Sequence, residues 1–153
     1  MKKCAVLCAA LSLPACLPNK SRASYHSLKT CNPGKALVLS YSQTGFTTRY
    51  GRLIACILQD KGLVVEVRDM QEFDRTGLPH YDLLVIGSPV FYYDIPVNVR
   101  DWLEAIPLLT GTPVAAFVSF GGPEGNQLHA VNHLLDLLSA KEGVPIAMGA
   151  FMN

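Results

Sequence analysis

Five apolar runs alternate with amphipathic segments from residue 36 onward, and this alternation restricts the fold more than any other feature of the chain. Residues 36–41 form an apolar run of the kind expected for a parallel strand covered on both faces. Over residues 47–61, Tyr50, Leu53, Ile54, Ile57 and Leu58 recur at three- and four-residue steps, which predicts an amphipathic helix ended by Gly62. Further strands are predicted at 63–69, 81–87, 112–120 and 144–151. A short helical turn fits within 71–80. Helices are predicted at 97–106, with Val99, Trp102 and Leu103 inward, and at 128–141, with Val131, Leu134, Leu135 and Leu138 inward. Alternating strands and helices imply right-handed crossovers and a parallel sheet. The fold class is therefore α/β, a doubly wound five-stranded sheet of order 2-1-3-4-5. Its cleft lies beyond the carboxyl ends of strands one and three.

Composition supports one ordinary globular domain. Of 153 residues half are hydrophobic, and the formal net charge is +1. That balance argues against nucleic acid as a partner, which calls for a basic stripe, and against a disordered acidic chain. The cysteines are Cys4, Cys8, Cys16, Cys31 and Cys56, with no Cys-x-x-Cys pair and no zinc or iron–sulfur spacing. Cys56 lies on the apolar stripe of the first helix and is expected to be a small core residue.

The amino terminus has a different character. Lys2 and Lys3 precede an apolar run over 4–16, too short to cross a bilayer as a helix but patterned like a secretory signal. Leu13-Pro14-Ala15-Cys16 resembles a bacterial lipobox, with Pro14 where a small residue is usual. Residues 1–35 are thus expected to be a signal-like or lipoprotein-like segment and polar tether, and 36–153 the domain. Localisation follows that segment: exported or lipid-anchored if 1–16 act as a signal, otherwise cytoplasmic. Membrane association is expected only through such an anchor.

Three loops open on the carboxyl edge of the predicted sheet. The first, Ser42-Gln-Thr-Gly-Phe-Thr47, joins a strand to a helix. Such a junction presents unpaired backbone N–H groups at the positive end of a helix dipole. With Gly45 for the turn and hydroxyls on Ser42, Thr44 and Thr47, it reads as a socket for a phosphate dianion. No lysine lies within it, so a Walker-type triphosphate site is disfavoured, and the dinucleotide Gly-x-Gly-x-x-Gly spacing fails. The second loop carries Phe91, Tyr92 and Tyr93 in a row. At least one must face the cleft, where an aromatic plane can stack on a flat ligand. The third contains Gly121, Gly122 and Gly125, which permit close backbone approach. His129 and His133 stand four apart on one helix, a metal-ligand spacing. With no third ligand evident, the expectation is a solvent-facing pair. Arg49 and Arg52 are expected on a solvated helix face and Trp102 in the core.

These loops together resemble the flavodoxin family. The likeness covers about 35–153 and rests on Ser42-x-Thr-Gly-x-Thr47, on Gly87-Ser-Pro-Val90 with the aromatics after it, and on Ser119-Phe-Gly-Gly122. It is nearest to the flavodoxin-type domains that accompany clostridial-type ferredoxin modules. The resemblance implies FMN as cofactor. Ser42, Gln43, Thr44, Gly45, Phe46 and Thr47 would wrap its phosphate. Ser88, Pro89, Val90, Phe91, Tyr92, Tyr93 and Asp94 would lie against the isoalloxazine, with Phe91 or Tyr92 the stacking ring. Ser119, Phe120, Gly121, Gly122 and Gly125 would close the other side. The implied role is electron transfer with a redox partner protein such as a ferredoxin or a reductase. An FMN-dependent quinone or NAD(P)H oxidoreductase is the nearest alternative, and a cofactor-free interaction domain or inactive fragment the next.

The chain departs from the family pattern at three places. Family members often have a glycine where a peptide flips toward reduced flavin N5, whereas this loop reads Tyr92-Tyr93-Asp94. Carrier flavodoxins are usually acidic, whereas this chain is nearly neutral. The family pattern also has a closing helix after the fifth strand, and the sequence given ends at Asn153. Residues 4–13 docking in place of that helix is a further expectation.

Overall fold

The computed structural model describes residues 34–122 and 127–153. The expectations for the amino-terminal segment, its four cysteines and Gly125 lie outside the described residues. The elements run β1 (Lys35–Ser40), α1 (Phe46–Asp60), β2 (Val64–Asp69), a 3-10 turn (Arg75–His80), β3 (Leu83–Pro89), α2 (Val97–Glu104), β4 (Pro113–Phe120), α3 (Gln127–Ala140) and β5 (Val144–Met152). All neighbouring strands are parallel and the sheet order is β2-β1-β3-β4-β5, the predicted topology.

Period-two alternation sends the strand side chains to two separate cores. Leu37, Leu39, Leu84, Ile86, Val114, Ala116 and Val118 pack with Val99 and Leu103 of α2 and with Ala130, Val131, Leu134 and Leu138 of α3. Ala36, Val38, Leu83, Val85 and Phe117 pack on the other face with Ala55 of α1. Trp102 packs half-buried against the first core.

Two expectations change. β3 runs two residues later than its apolar run, because Tyr81 still closes the 3-10 turn, with its N–H donating to Leu78 O (3.3 Å). The strand then continues through Ser88 and Pro89, which pair with Val118 and Ser119 of β4. In α1 the buried residues are Thr47, Gly51 and Ala55, whereas Leu53 and Ile57 are 45% and 49% exposed. Small residues line this face because the helix sits close to the sheet: a Cβ on Gly51 would lie 3.3 Å from Val38 Cγ1 and 3.5 Å from Phe117 Cζ. Tyr50, Ile54 and Leu58 flank that line half-buried, and so does Cys56. β5 is an edge strand, with Val144, Ile146, Met148 and Met152 exposed.

Tyr81 and Glu66 tie the 3-10 turn to β2. The Tyr81 hydroxyl donates to Glu66 Oε2 at 2.5 Å, and Arg68 Nε donates to Glu66 Oε1 at 2.6 Å. Burial, then the bond to Glu66, pushes the Tyr81 pKa up to about 12. The bonds from Tyr81 and Arg68 hold the Glu66 carboxyl below its usual range. The sign follows from linkage. Protonated Tyr81 is favoured in the folded state, so its contribution is complete below its ordinary value of 10.0 and fades as pH rises toward about 12. Ionised Glu66 contributes above 4.5 and loses that contribution as pH falls through its lowered value. Tyr81→Phe is therefore expected to flatten the alkaline limb of stability, read as urea midpoints measured across that range.

Candidate functional site

The three loops lie along the carboxyl ends of β1, β3 and β4 and are joined by hydrogen bonds. Tyr41 N–H donates to Gly87 O (3.0 Å), linking the ends of β1 and β3. Val90 N–H donates to Ser119 O (2.9 Å), linking β3 to β4. The Thr47 and Ser119 hydroxyls are 2.8 Å apart and both residues are buried, which fastens the start of α1 to the end of β4.

Gly45 is the N-cap of α1 and has φ 87°, a left-handed conformation that glycine adopts without a Cβ penalty. No side chain caps the helix. Instead, Gly45 N–H donates to Ser42 Oγ at 2.9 Å, which folds the loop back over the helix start. The first-turn N–H groups of an α-helix have no intrahelical acceptor, and here the dipole's positive end faces the loop 42–45. Gln43, Thr44 and Phe46 are exposed and Ser42 is half-buried. The expected hydroxyl trio is thereby divided. Ser42 accepts within the loop, Thr44 is exposed, and the buried Thr47 hydroxyl bonds with that of Ser119.

The second loop is a tight reversal. Phe91 N–H donates to Asp94 O (2.8 Å) and Asp94 N–H donates to Phe91 O (3.1 Å), with Tyr92 and Tyr93 between them at φ 48° and 74°. Positive φ at both central residues is the signature of a type I′ turn, which normally selects Asn-Gly. Two tyrosines there cost about 1–3 kcal/mol each in backbone strain. They are also largely solvent-facing: Tyr92 is 99% exposed and Tyr93 66%. Ser88 and Pro89, expected in this loop, are instead buried within β3, where the Ser88 hydroxyl donates to Pro89 O (2.9 Å). The loop begins at Val90.

From the third loop, Gly121 and Gly122 are exposed. Among the described residues, a Cβ on Gly122 would meet nothing within 4 Å. Ser119 and Phe120 are buried and act as support. Two hollows of about 290 Å³ lie beside β2, one lined by Glu66, Arg68, Glu72, Phe73 and Asp74; none of the residues lining either belongs to the three loops, and both are shallow and charged.

The flavodoxin family model matches residues 38–151, which takes in β1 to β5 and all three loops. The chain belongs to the flavodoxin family. Solved structures agree on the fold. A flavodoxin from the domain Archaea is 20% identical with a TM-score of 0.66, over 78% of this chain and 83% of that one. The Streptococcus pneumoniae TIGR4 flavodoxin is 17% identical with a TM-score of 0.67, over 78% and 84%. Rubredoxin:oxygen oxidoreductase from Desulfovibrio gigas is 20% identical with a TM-score of 0.67, over 78% of this chain but 30% of that one. No curated protein matches the chain.

In this chain the histidines of α3 depart from expectation. His133 Nδ1 lies 2.8 Å and 3.0 Å from the two carboxylate oxygens of Asp94, so His133 is half-buried and partnered rather than solvent-facing. His129 is exposed, one helical turn earlier. Burial raises the Asp94 pKa, but the hydrogen bonds from His133 and Ile95 N–H and the nearby imidazole charges outweigh it, leaving the carboxyl below its usual range. Nothing in the sequence pairs position 94 with 133; only the placement of α3 beside the end of β3 does. Arg49 and Arg52 are exposed, as expected.

Proposed function

We propose that this protein binds FMN at the carboxyl edge of the sheet and transfers single electrons or electron pairs to and from a redox partner protein. The observation that carries this reading is the uncapped start of α1 behind a left-handed Gly45, along the same sheet edge as an exposed aromatic turn and the exposed Gly121 and Gly122. The residues present fit the cofactor. The N–H groups of Phe46, Thr47 and Thr48, with the exposed Thr44 hydroxyl, are donors for a dianionic phosphate. Tyr92 and Tyr93 supply aromatic planes on one side, and Gly121 and Gly122 supply backbone without steric bulk on the other.

The flavin itself supplies the redox chemistry. The chain's part is to bind, orient and shield it. Thr47 and Ser119 hold the phosphate loop at a fixed position against β4. The strained Tyr92–Tyr93 peptide fixes which backbone groups the turn presents.

Titration of purified protein with FMN and, in parallel, with riboflavin tests the reading. FMN fluorescence is expected to be quenched with an affinity at least about tenfold above that of riboflavin, since a charge-assisted phosphate contact contributes about 1.5–3 kcal/mol. Absence of quenching by either flavin in folded protein defeats the proposal. Steady-state NAD(P)H oxidation by the FMN-loaded protein separates the two redox roles. A carrier turns over negligibly, whereas rapid turnover without a partner assigns the chain to the oxidoreductases.

A further inference from the structure

We propose that Asp94, His129 and His133 form a binding site for a divalent transition-metal ion of zinc's class, which clips the Phe91–Asp94 turn to α3. One potential ligand atom from each of the three residues lies within 4.8 Å of the other two. The two imidazoles project from the same side of α3, four residues apart, with ring centroids 6.2 Å from one another. The carboxylate arrives from a different element, the turn after β3.

The alternative is a plain surface ion pair. An ion pair needs one histidine, and His133 already fills that role at 2.8 Å. It gives no reason for a second imidazole to converge on the same carboxylate. A metal ion does. Zinc bonds of about 2.0–2.1 Å in tetrahedral geometry require ligand atoms about 3.3 Å apart, so the ion is admitted when the Asp94–His133 contact opens slightly and the exposed His129 ring closes in by a side-chain rotation. Two nitrogens and one oxygen suit Zn²⁺, Co²⁺, Ni²⁺ or Cu²⁺, whereas Mg²⁺ and Ca²⁺ take oxygen donors. The exposed His129 leaves the site accessible, and among the described residues no fourth side chain joins the group, which leaves a position for water. The supporting shell is present too: Ile95 N–H donates to Asp94 Oδ1 at 2.7 Å and orients the carboxylate.

Occupancy has a consequence for the neighbouring turn. Asp94 closes the reversal that holds Tyr92 and Tyr93 at positive φ. An ion joining Asp94 to α3 restrains that reversal and ties its backbone geometry to metal availability. None of its three ligands comes from the 42–47 loop, and the site does not rest on the flavin reading.

The test uses full-length protein stripped with chelator, titrated with Zn²⁺ by calorimetry and followed by amide NMR, without added flavin. The expected result is one ion per chain at micromolar affinity or tighter, with shifts concentrated at Tyr92 to Ile95 and in the first two turns of α3. At a hundredfold excess of free ion over Kd, the unfolding equilibrium constant falls about 100-fold. His129→Gln, at an exposed position, is expected to weaken binding at least about 30-fold without altering the melt in chelator; Asp94→Asn is expected to weaken it as much and also to lower the melt in chelator, because it gives up the carboxylate that His133 and Ile95 N–H hold. Binding weaker than about 100 μM overturns the site. So does binding that His129→Gln leaves unchanged, or shifts centred elsewhere, which would assign the ion to other ligands such as the thiols. The NMR map on the unmutated protein decides the matter even if a variant misfolds.

Discussion

Gly87→Ala is expected to destabilise the protein by about 3 kcal/mol, a drop of roughly 10 °C in melting temperature for a domain of this size. A Cβ at this position would lie 2.1 Å from Phe117 Cζ, with two further ring carbons at 2.5 and 2.7 Å. Gly87 of β3 pairs with Phe117 of β4, and the ring lies flat across the space that a side chain at 87 would occupy. The ring has nowhere to go. Gly51 and Val38 bound it on the α1 side, and Phe151 meets it edge-on with centroids 5.9 Å apart. Phe117 is itself 2% exposed, so displacing it opens the α1 core. A double-mutant cycle with Phe117→Leu isolates the contact. If the clash is the cause, adding Gly87→Ala to Phe117→Leu costs no more than about 1 kcal/mol beyond the single Leu variant. Additive losses, or a Gly87→Ala loss under 1 kcal/mol in urea unfolding, would show that the sheet absorbs the methyl by other means.

The same ring marks how far the sequence could be read. Strand and helix order, sheet topology and the edge on which the three loops open follow from alternating periodicities, because each is a local pattern repeated along the chain. The α1 face did not follow. Large apolar residues at 53 and 57 dominate the periodicity, yet the buried line is Thr47, Gly51 and Ala55, since close approach to Phe117 and Val38 rewards small side chains. Periodicity counts hydrophobicity and is blind to that spacing. The site divides similarly. The hydroxyl-rich strand-to-helix junction at 42–47, proposed above to hold a phosphate, was legible as a motif. The burial of Thr47 against Ser119 was not, because that pair is 72 residues apart in sequence and adjacent only across the sheet. The Tyr92–Tyr93 turn was hidden for the opposite reason: its residues carry no turn chemistry, and the reversal is imposed by the paired ends, Phe91 and Asp94.

Gly45→Asp is expected to weaken FMN about 30- to 150-fold while leaving riboflavin affinity within a factor of about three. The proposed phosphate carries about −1.5 to −2 charges. A carboxylate at the N-cap, facing an anion held by the same helix start, opposes binding by about 2–3 kcal/mol after solvent screening. The fold should tolerate the change. A Cβ at position 45 has nothing within 4 Å, aspartate is among the residues least penalised at positive φ, and its charge favours the start of α1. Those same virtues make the variant selective: aspartate satisfies the helix N-terminus that the anion would otherwise occupy, and adds repulsion where the phosphate would sit. Riboflavin has the same ring system and no phosphate, so it reports on the aromatic turn alone. Equal losses for both flavins would indicate a disturbed fold. An FMN loss below about fivefold would place the phosphate away from α1, and with it the reason for leaving this helix uncapped.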